Sequence, residues 1–127
     1  MKLLSKEEIT AKPEAPLRVK CKLISVTCYR ASERGGDEIY LKIENKKIWP
    51  ARPFAKIKPS EEIMIDVDVF SDERGFLRVD LWEKDFFSDD LLGFFQFVSV
   101  GSNGKFSTDL TPCNKDVPPR YILNWEK

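Results

Sequence analysis

Short segments in which apolar and polar residues alternate follow one another along most of the chain. The clearest lies at residues 63–70, and a similar alternation at residues 77–82 follows a turn that ends near Gly75. A two-residue period places one set of side chains on a single face of a β-strand. About eight such segments, with turns every 8 to 12 residues, predict an all-β fold, namely an eight-stranded antiparallel β-sandwich.

The first of these predicted strands changes phase in its middle. Cys21 and Leu23 alternate with basic residues, whereas Val26 and Cys28 continue the alternation one residue out of step. A slip of one residue would turn the buried face of the strand outward. A β-bulge or bend near residues 23–24 is therefore predicted, because it would keep both halves of the strand facing the core.

Two prolines, Pro13 and Pro16, separate a short N-terminal segment from the first predicted strand. We therefore divide the chain into an N-terminal arm, residues 1–16, and a sandwich, residues 17–127. Within the arm only residues 5–11 have the pattern of a helix, with a serine that can cap it. No apolar run approaches the roughly 20 residues that span a bilayer, and the first residues do not resemble a secretory signal peptide.

The 127 residues include no histidine. Histidine is the commonest general base and metal ligand, so its absence argues against cysteine-based catalysis and against most zinc sites. The three cysteines, Cys21, Cys28 and Cys113, lack CxxC spacing, which predicts reduced thiols and a cytoplasmic location. The chain also lacks a glycine-rich phosphate loop. We predict that the protein is not an enzyme.

The 21 basic and 21 acidic residues cancel over the whole chain but not along it. Residues 1–58 carry a net charge of +7, residues 59–90 of −8 and residues 91–127 of +1. A neutral total makes nucleic acid an unfavoured partner. Two interpretations of the division stay open: solvated faces of strands and loops, or two local surfaces of opposite charge.

Acidic residues flank a loop between two predicted strands. Glu83 and Asp85 stand two residues apart as one strand ends, and Asp89 and Asp90 precede the next strand. Carboxylates that converge at a loop need a cation or a proton to offset their repulsion. Oxygen-rich sites suit Ca²⁺, so the loop is a candidate calcium site, although many acidic surface loops bind nothing.

This loop resembles the third calcium loop of the C2 domain family in the order of seven residues: Trp82, Glu83, Asp85, Ser88, Asp90, Leu92 and Gly93. A second resemblance lies upstream, where residues 36–43 look like the family's Asp-Pro-Tyr-Val-Lys strand start. The resemblance covers residues 17–125. C2 domains are β-sandwiches that often bind phospholipid in response to calcium, and this chain is expected to share their fold.

The resemblance implies a calcium site formed by five carboxylates: Asp37, Glu83, Asp85, Asp89 and Asp90. The chain departs from the family pattern at several of these positions. Glu83 stands where aspartate is usual, and the first loop offers only Glu33 in place of a further aspartate. Fewer or displaced carboxylates predict weaker calcium binding.

Two further sets of residues are candidates for contact with a membrane or a partner. Phe86 and Phe87 lie in the acidic loop, where the resemblance implies insertion into a bilayer. Two alternatives stay open: docking in a protein pocket, or one ring covering the end of the sandwich while the other is partly exposed. The second set combines basic residues with an aromatic one: Lys46, Lys47, Trp49, Arg52, Lys56 and Lys58. It favours an acidic phospholipid headgroup or an acidic partner; the alternative is a solvated strand edge over a buried Trp49.

We therefore predict a non-enzymatic C2-like docking module that binds acidic phospholipid or a protein partner, peripherally at a membrane and with Ca²⁺ as a tuning ion. The alternative is a structural subunit of a larger, multi-subunit intracellular assembly that uses the same fold without calcium or lipid. The N-terminal arm and the incomplete set of calcium ligands favour this alternative.

Overall fold

The computed structural model describes residues 18–99, 101–113 and 116–127. These residues form two antiparallel β-sheets packed around one core, and no α-helix occurs among them. The described part of the chain accordingly contains no helix that could cross a membrane. The predicted N-terminal arm, with its helix at residues 5–11, lies outside the described residues.

Ten strands make up the two sheets. The four-stranded sheet contains β1 (Lys20–Arg30), β5 (Glu62–Phe70), β8 (Lys105–Asp109) and β10 (Arg120–Glu126), in the order β5-β1-β10-β8. The six-stranded sheet contains β2 (Asp37–Ile43), β3 (Lys46–Trp49), β4 (Ala55–Ile57), β6 (Phe76–Glu83), β7 (Asp90–Val98) and β9 (Thr111–Pro112). Its order is β3-β2-β6-β7-β9, and β4 pairs with β2.

The predicted antiparallel sandwich is confirmed, but its strand count is corrected from eight to ten. Two strands are very short, with three residues in β4 and two in β9. Prolines account for these fragments, because proline cannot donate a hydrogen bond to a neighbouring strand. Pro50 and Pro53 separate β3 from β4, and Pro112 ends β9.

Strand β1 contains the predicted bulge. Its pairing with β10 passes from Leu23 to Ser25 while the partner residues, Trp125 and Asn124, are adjacent in sequence. The extra residue restores the phase of the strand, so that Leu23 and Val26 both face the core with 0% exposure. The alternation of the sequence thus located this irregularity correctly.

Strand β5 forms one edge of the four-stranded sheet and is itself irregular. Its pairing with β1 also shifts between Leu23 and Ser25 of β1. Asp66 of β5 has a φ of 54°, in the left-handed region. The Asp66 carboxylate lies 3.4 Å from Lys22 Nζ, and that of Asp68 lies 3.5 Å from Lys20 Nζ. Part of the charge division along the sequence therefore cancels in pairs across β1 and β5.

The core lies between the inner faces of the two sheets, where nine large side chains have 0% exposure: Leu23, Ile39, Leu41, Ile57, Leu81, Leu92, Phe95, Tyr121 and Leu123. Cys21 and Cys28 are also buried there as free thiols. Burial raises the pKa of both thiols. They are protonated core side chains and not reactive groups.

Several loops share one end of the sandwich, which we call the tip end. Arg30 at the end of β1 pairs with Arg120 at the start of β10. Glu83 at the end of β6 pairs both with Asp90 of β7 and with Ile39 of β2. The loops at residues 31–36 and 84–89 and the segment at residues 116–119 therefore lie at this end. We call residues 84–89 the tip loop.

Gly93 lies at a tight backbone contact between β7 and β9. It pairs with Pro112 in the six-stranded sheet. A Cβ atom on residue 93 would lie 2.3 Å from the carbonyl oxygen of Thr111 and 2.9 Å from the Cα atom of Pro112. Only glycine fits this contact between two backbones, which explains why glycine follows Leu92 in the C2-like motif.

Candidate functional site at the tip end

Asp37 begins β2 at the tip end and is completely buried, with 0% exposure. Its Oδ2 atom accepts a hydrogen bond from the backbone N–H of Ser32 at 2.8 Å and one from the Tyr121 hydroxyl at 2.5 Å. Its Oδ1 atom accepts a hydrogen bond from the backbone N–H of Glu33 at 2.9 Å. Burial, followed by this contact with Asp37, raises the pKa of the Tyr121 hydroxyl. The carboxylate of Asp37 is thus surrounded by donors from the protein itself.

Glu83 ends β6 beside Asp37 and is also buried, with 2% exposure. Its burial, together with its hydrogen bond to Asp37 and the negative charges around it, raises the pKa of Glu83 to about 9. At neutral pH the Glu83 carboxyl is therefore protonated and can donate a hydrogen bond to Asp37. The structure places these two predicted ligands side by side as a buried acid pair.

The carboxylate of Asp89 is held by groups of the tip loop and of β2. It accepts hydrogen bonds from the Tyr40 hydroxyl and from the backbone N–H of Asp85, the latter at 3.1 Å. The bond from Tyr40, followed by that from Asp85, lowers the pKa of Asp89. The ammonium group of Lys84 lies 3.9 Å from the same carboxylate. Asp89 therefore fixes the tip loop to β2.

The remaining predicted ligands do not join a single cluster. Asp85 accepts a hydrogen bond from the backbone N–H of Phe86 at 2.6 Å, and Asp90 lies in β7 opposite Glu83. Within residues 18–99, 101–113 and 116–127, no group of three or more acidic, cysteine or histidine side chains is arranged to hold a metal ion. The five carboxylates in this arrangement do not fit a calcium ion, and binding of Ca²⁺ stays a prediction.

Phe86 and Phe87 project from the tip loop into solvent. They are 90% and 93% exposed, and their ring centroids lie 5.0 Å apart in an edge-to-face arrangement. Neither ring covers the end of the core. A pair of aromatic side chains in this position has apolar area available for an external surface.

Five of the six predicted contact residues at the β3–β4 edge are exposed: Lys46, Lys47, Arg52, Lys56 and Lys58. We call these five residues the basic edge. The prediction for Trp49 is corrected, because Trp49 is 8% exposed and belongs to the core. Trp49 is paired with Leu41 of β2, which faces inward. Trp49 therefore packs in the core beneath the basic edge and is not available to contact a membrane or another protein.

The sequence prediction omitted an aromatic group beside the basic edge. The rings of Tyr40 and Trp82 stack on the outer face of the six-stranded sheet with centroids 6.3 Å apart. Lys42 Nζ lies 4.6 Å from the Trp82 ring, and Lys47 Nζ lies 5.9 Å from the Tyr40 ring. Both distances are within the range of cation–π attraction. The alternation in β2 could have identified this group, because Tyr40 and Lys42 flank the inward-facing Leu41.

The two antiparallel sheets form a β-sandwich with several loops at one end. A solved structure described as "Structure of a C2 domain" matches this chain with a TM-score of 0.54 at 16% sequence identity. The match covers 87% of this chain and 96% of the other chain. The fold is therefore C2-like. A scan of protein-family models and a search of curated proteins each give no match to the sequence.

Proposed function

We propose that the protein is a non-enzymatic docking module that attaches to an anionic membrane surface through its tip loop and basic edge. The observation that carries this proposal is the exposure of Phe86 and Phe87, at 90% and 93%. C2 domains are in general binding modules without catalytic activity, which supports a docking role for a C2-like fold. Burial of an aromatic side chain from water contributes about 1.5–3 kcal/mol, so two adjacent rings are an effective anchor.

The basic edge supports the same proposal through electrostatics. Its five cations are exposed and lie on β3 and β4, which both pair with β2, on the segment between them, or directly after β4. Each lysine or arginine near an anionic membrane contributes about 1 kcal/mol of attraction. Lys42 and Lys47 already lie over aromatic rings, so part of the basic surface is ordered before a headgroup binds.

Co-sedimentation with vesicles that contain phosphatidylserine tests this function. We expect binding that weakens with added salt and that becomes at least tenfold weaker in the double variant Phe86→Ala/Phe87→Ala, because the apolar anchor is removed. The matched control is Phe70→Ala, which removes a 57% exposed phenylalanine from the end of β5. Equal binding by the wild type and the double variant would contradict the proposed role of the tip loop.

A second candidate function is that of a subunit that docks on another protein through the same phenylalanines. The charges near the tip loop favour it, since Asp85 precedes Phe86 in the chain and Glu33 lines the same cleft as Phe86. Both carboxylates repel an anionic membrane. Absence of co-sedimentation at low salt, with and without Ca²⁺, would exclude the membrane role. An assembly role would then require a protein partner whose binding depends on Phe86 and Phe87.

A further inference from the structure

We infer that Asp37 is a structural hydrogen-bond acceptor that holds the tip end together without a metal ion, so that the docking surface is assembled independently of calcium. The inference concerns the regulation of the docking proposed above and rests on that proposal for its functional meaning. The structural role of Asp37 stands on its own contacts. It differs from the calcium ligand that the sequence resemblance implies at this position.

The hydrogen bonds of Asp37 leave little capacity for a cation. A carboxylate offers about four lone-pair positions, and three donors of the protein already bind the two oxygens of Asp37. The residue is 0% exposed, and the buried Glu83 carboxyl lies beside it at the end of β6. Coordination of Ca²⁺ by Asp37 would require these donors to move away.

The same contacts connect parts of the fold that are distant in sequence. Ser32 and Glu33 belong to the loop after β1, Asp37 begins β2, and Tyr121 lies in β10, 84 positions further along the chain. Because β2 and β10 are in different sheets, the Tyr121 hydroxyl joins the two sheets through Asp37. The backbone bonds from Ser32 and Glu33 then fix the first loop in place.

An analogous contact fixes the tip loop. The Tyr40 hydroxyl donates to Asp89, which also accepts a hydrogen bond from the backbone of Asp85. The loop after β1 and the tip loop are thus each held by an aspartate that accepts one tyrosine hydroxyl and at least one backbone N–H group. In both loops, hydrogen-bond donors of the protein lie beside the carboxylate where a calcium ion would lie in a metal site. They supply the positive partial charge that the carboxylate requires.

The sign of the effect of Asp37→Asn distinguishes the two roles. If Asp37 were part of an empty cation site, removal of its charge would relieve repulsion and raise the melting temperature. If Asp37 is a structural acceptor, the asparagine places an NH2 group against bound N–H donors, and the melting temperature falls. We expect a fall in the presence of a calcium chelator. The control Asp85→Asn, at an exposed position, should change the melting temperature little.

A pair of tyrosine variants provides a second test that does not depend on Asp37→Asn being foldable. In Tyr121→Phe we expect the amides of Ser32 and Glu33 to exchange with solvent at least about tenfold faster, because their acceptor is released. Tyr40→Phe, which removes the hydroxyl bound to Asp89, should leave these two amides unchanged. Unchanged protection in Tyr121→Phe would overturn the inference.

Titration of the wild-type chain with Ca²⁺ to millimolar concentration completes the test. We expect no heat by calorimetry and no saturable shift of the Ser32 and Glu33 amide signals. A saturable shift, or a rise in melting temperature, would overturn the inference. None of these measurements involves a membrane or a partner, so a failure of the proposed docking function would leave the result for Asp37 intact.

Discussion

The variant Glu83→Gln is expected to be more stable than the wild type at pH 8, by about 2 kcal/mol or more, and to lose that advantage near pH 5. Burial and the neighbouring carboxylates raise the pKa of Glu83 to about 9 in the folded chain, whereas an unfolded glutamate titrates near its ordinary value. Glutamine has the shape of a protonated glutamate and can donate the same hydrogen bond to Asp37. It has no proton to lose as the pH rises.

The direction of this effect follows from the number of bound protons. Between the unfolded pKa of 4.5 and the folded pKa of about 9, the native state retains a proton on Glu83 that the unfolded state releases. The free energy of unfolding of the wild type therefore falls as the pH rises through this window, by up to about 1.4 kcal/mol per pH unit. The stability that this proton contributes is fully present only below the unfolded-state pKa of 4.5.

Urea unfolding at several pH values measures this difference. The slope of stability against pH should be less negative in Glu83→Gln than in the wild type. The matched control is Glu73→Gln, in an exposed turn between β5 and β6, which should follow the wild type throughout. Parallel curves for Glu83→Gln and the wild type would show that Glu83 is ionised in the native state and that the acid pair does not exist.

Replacement of Gly93 by alanine is expected to destabilise the fold by about 3 kcal/mol or more. The new Cβ atom would lie 2.3 Å from the carbonyl oxygen of Thr111, which belongs to the backbone and cannot rotate away. Strands β7 and β9 would have to separate, and the pairing of Gly93 with Pro112 would be lost. Denaturant unfolding monitored by tryptophan fluorescence measures the loss.

Gly35→Ala is the matched control for Gly93→Ala. A Cβ atom on residue 35 would meet no atom within 4 Å, but its φ of 88° is unfavourable for alanine. This variant should lose only the roughly 1–2 kcal/mol that a left-handed conformation costs a residue with a side chain. A similar loss in both variants would mean that backbone conformation, and not the contact between β7 and β9, requires the glycine at position 93.

The architecture was predictable from the sequence because it depends on local periodicity. Alternation identified most strands, and a change of phase located the bulge at Leu23–Ser25 in β1. The count of ten strands was not predictable to the same degree, since β4 and β9 contain only three and two residues. Segments of that length have no period that separates them from a loop.

The arrangement of the candidate site was less predictable, because it depends on contacts between distant residues. The family resemblance predicted one site for Asp37 and Glu83, and the two side chains lie close together in the fold. Their environment, however, comes from Tyr121, 84 positions from Asp37. The spacing of the acidic residues in the sequence is the same whether a tyrosine hydroxyl or a cation contacts their carboxylates, so it could not distinguish the two. Similarly, Tyr40 meets Asp89 only because β2 and β6 are neighbours in the sheet.

The irregularity of β5 has a consequence for the behaviour of the protein at high concentration. An edge strand of nine residues offers unpaired backbone groups that could recruit a strand from another molecule and begin aggregation. The left-handed conformation of Asp66 interrupts that row of groups, and its carboxylate would face like charges in any self-pairing at this position. Asp66 therefore makes a poor pairing site of an edge that is otherwise rich in isoleucine and valine, which disfavours strand addition between molecules at high concentration.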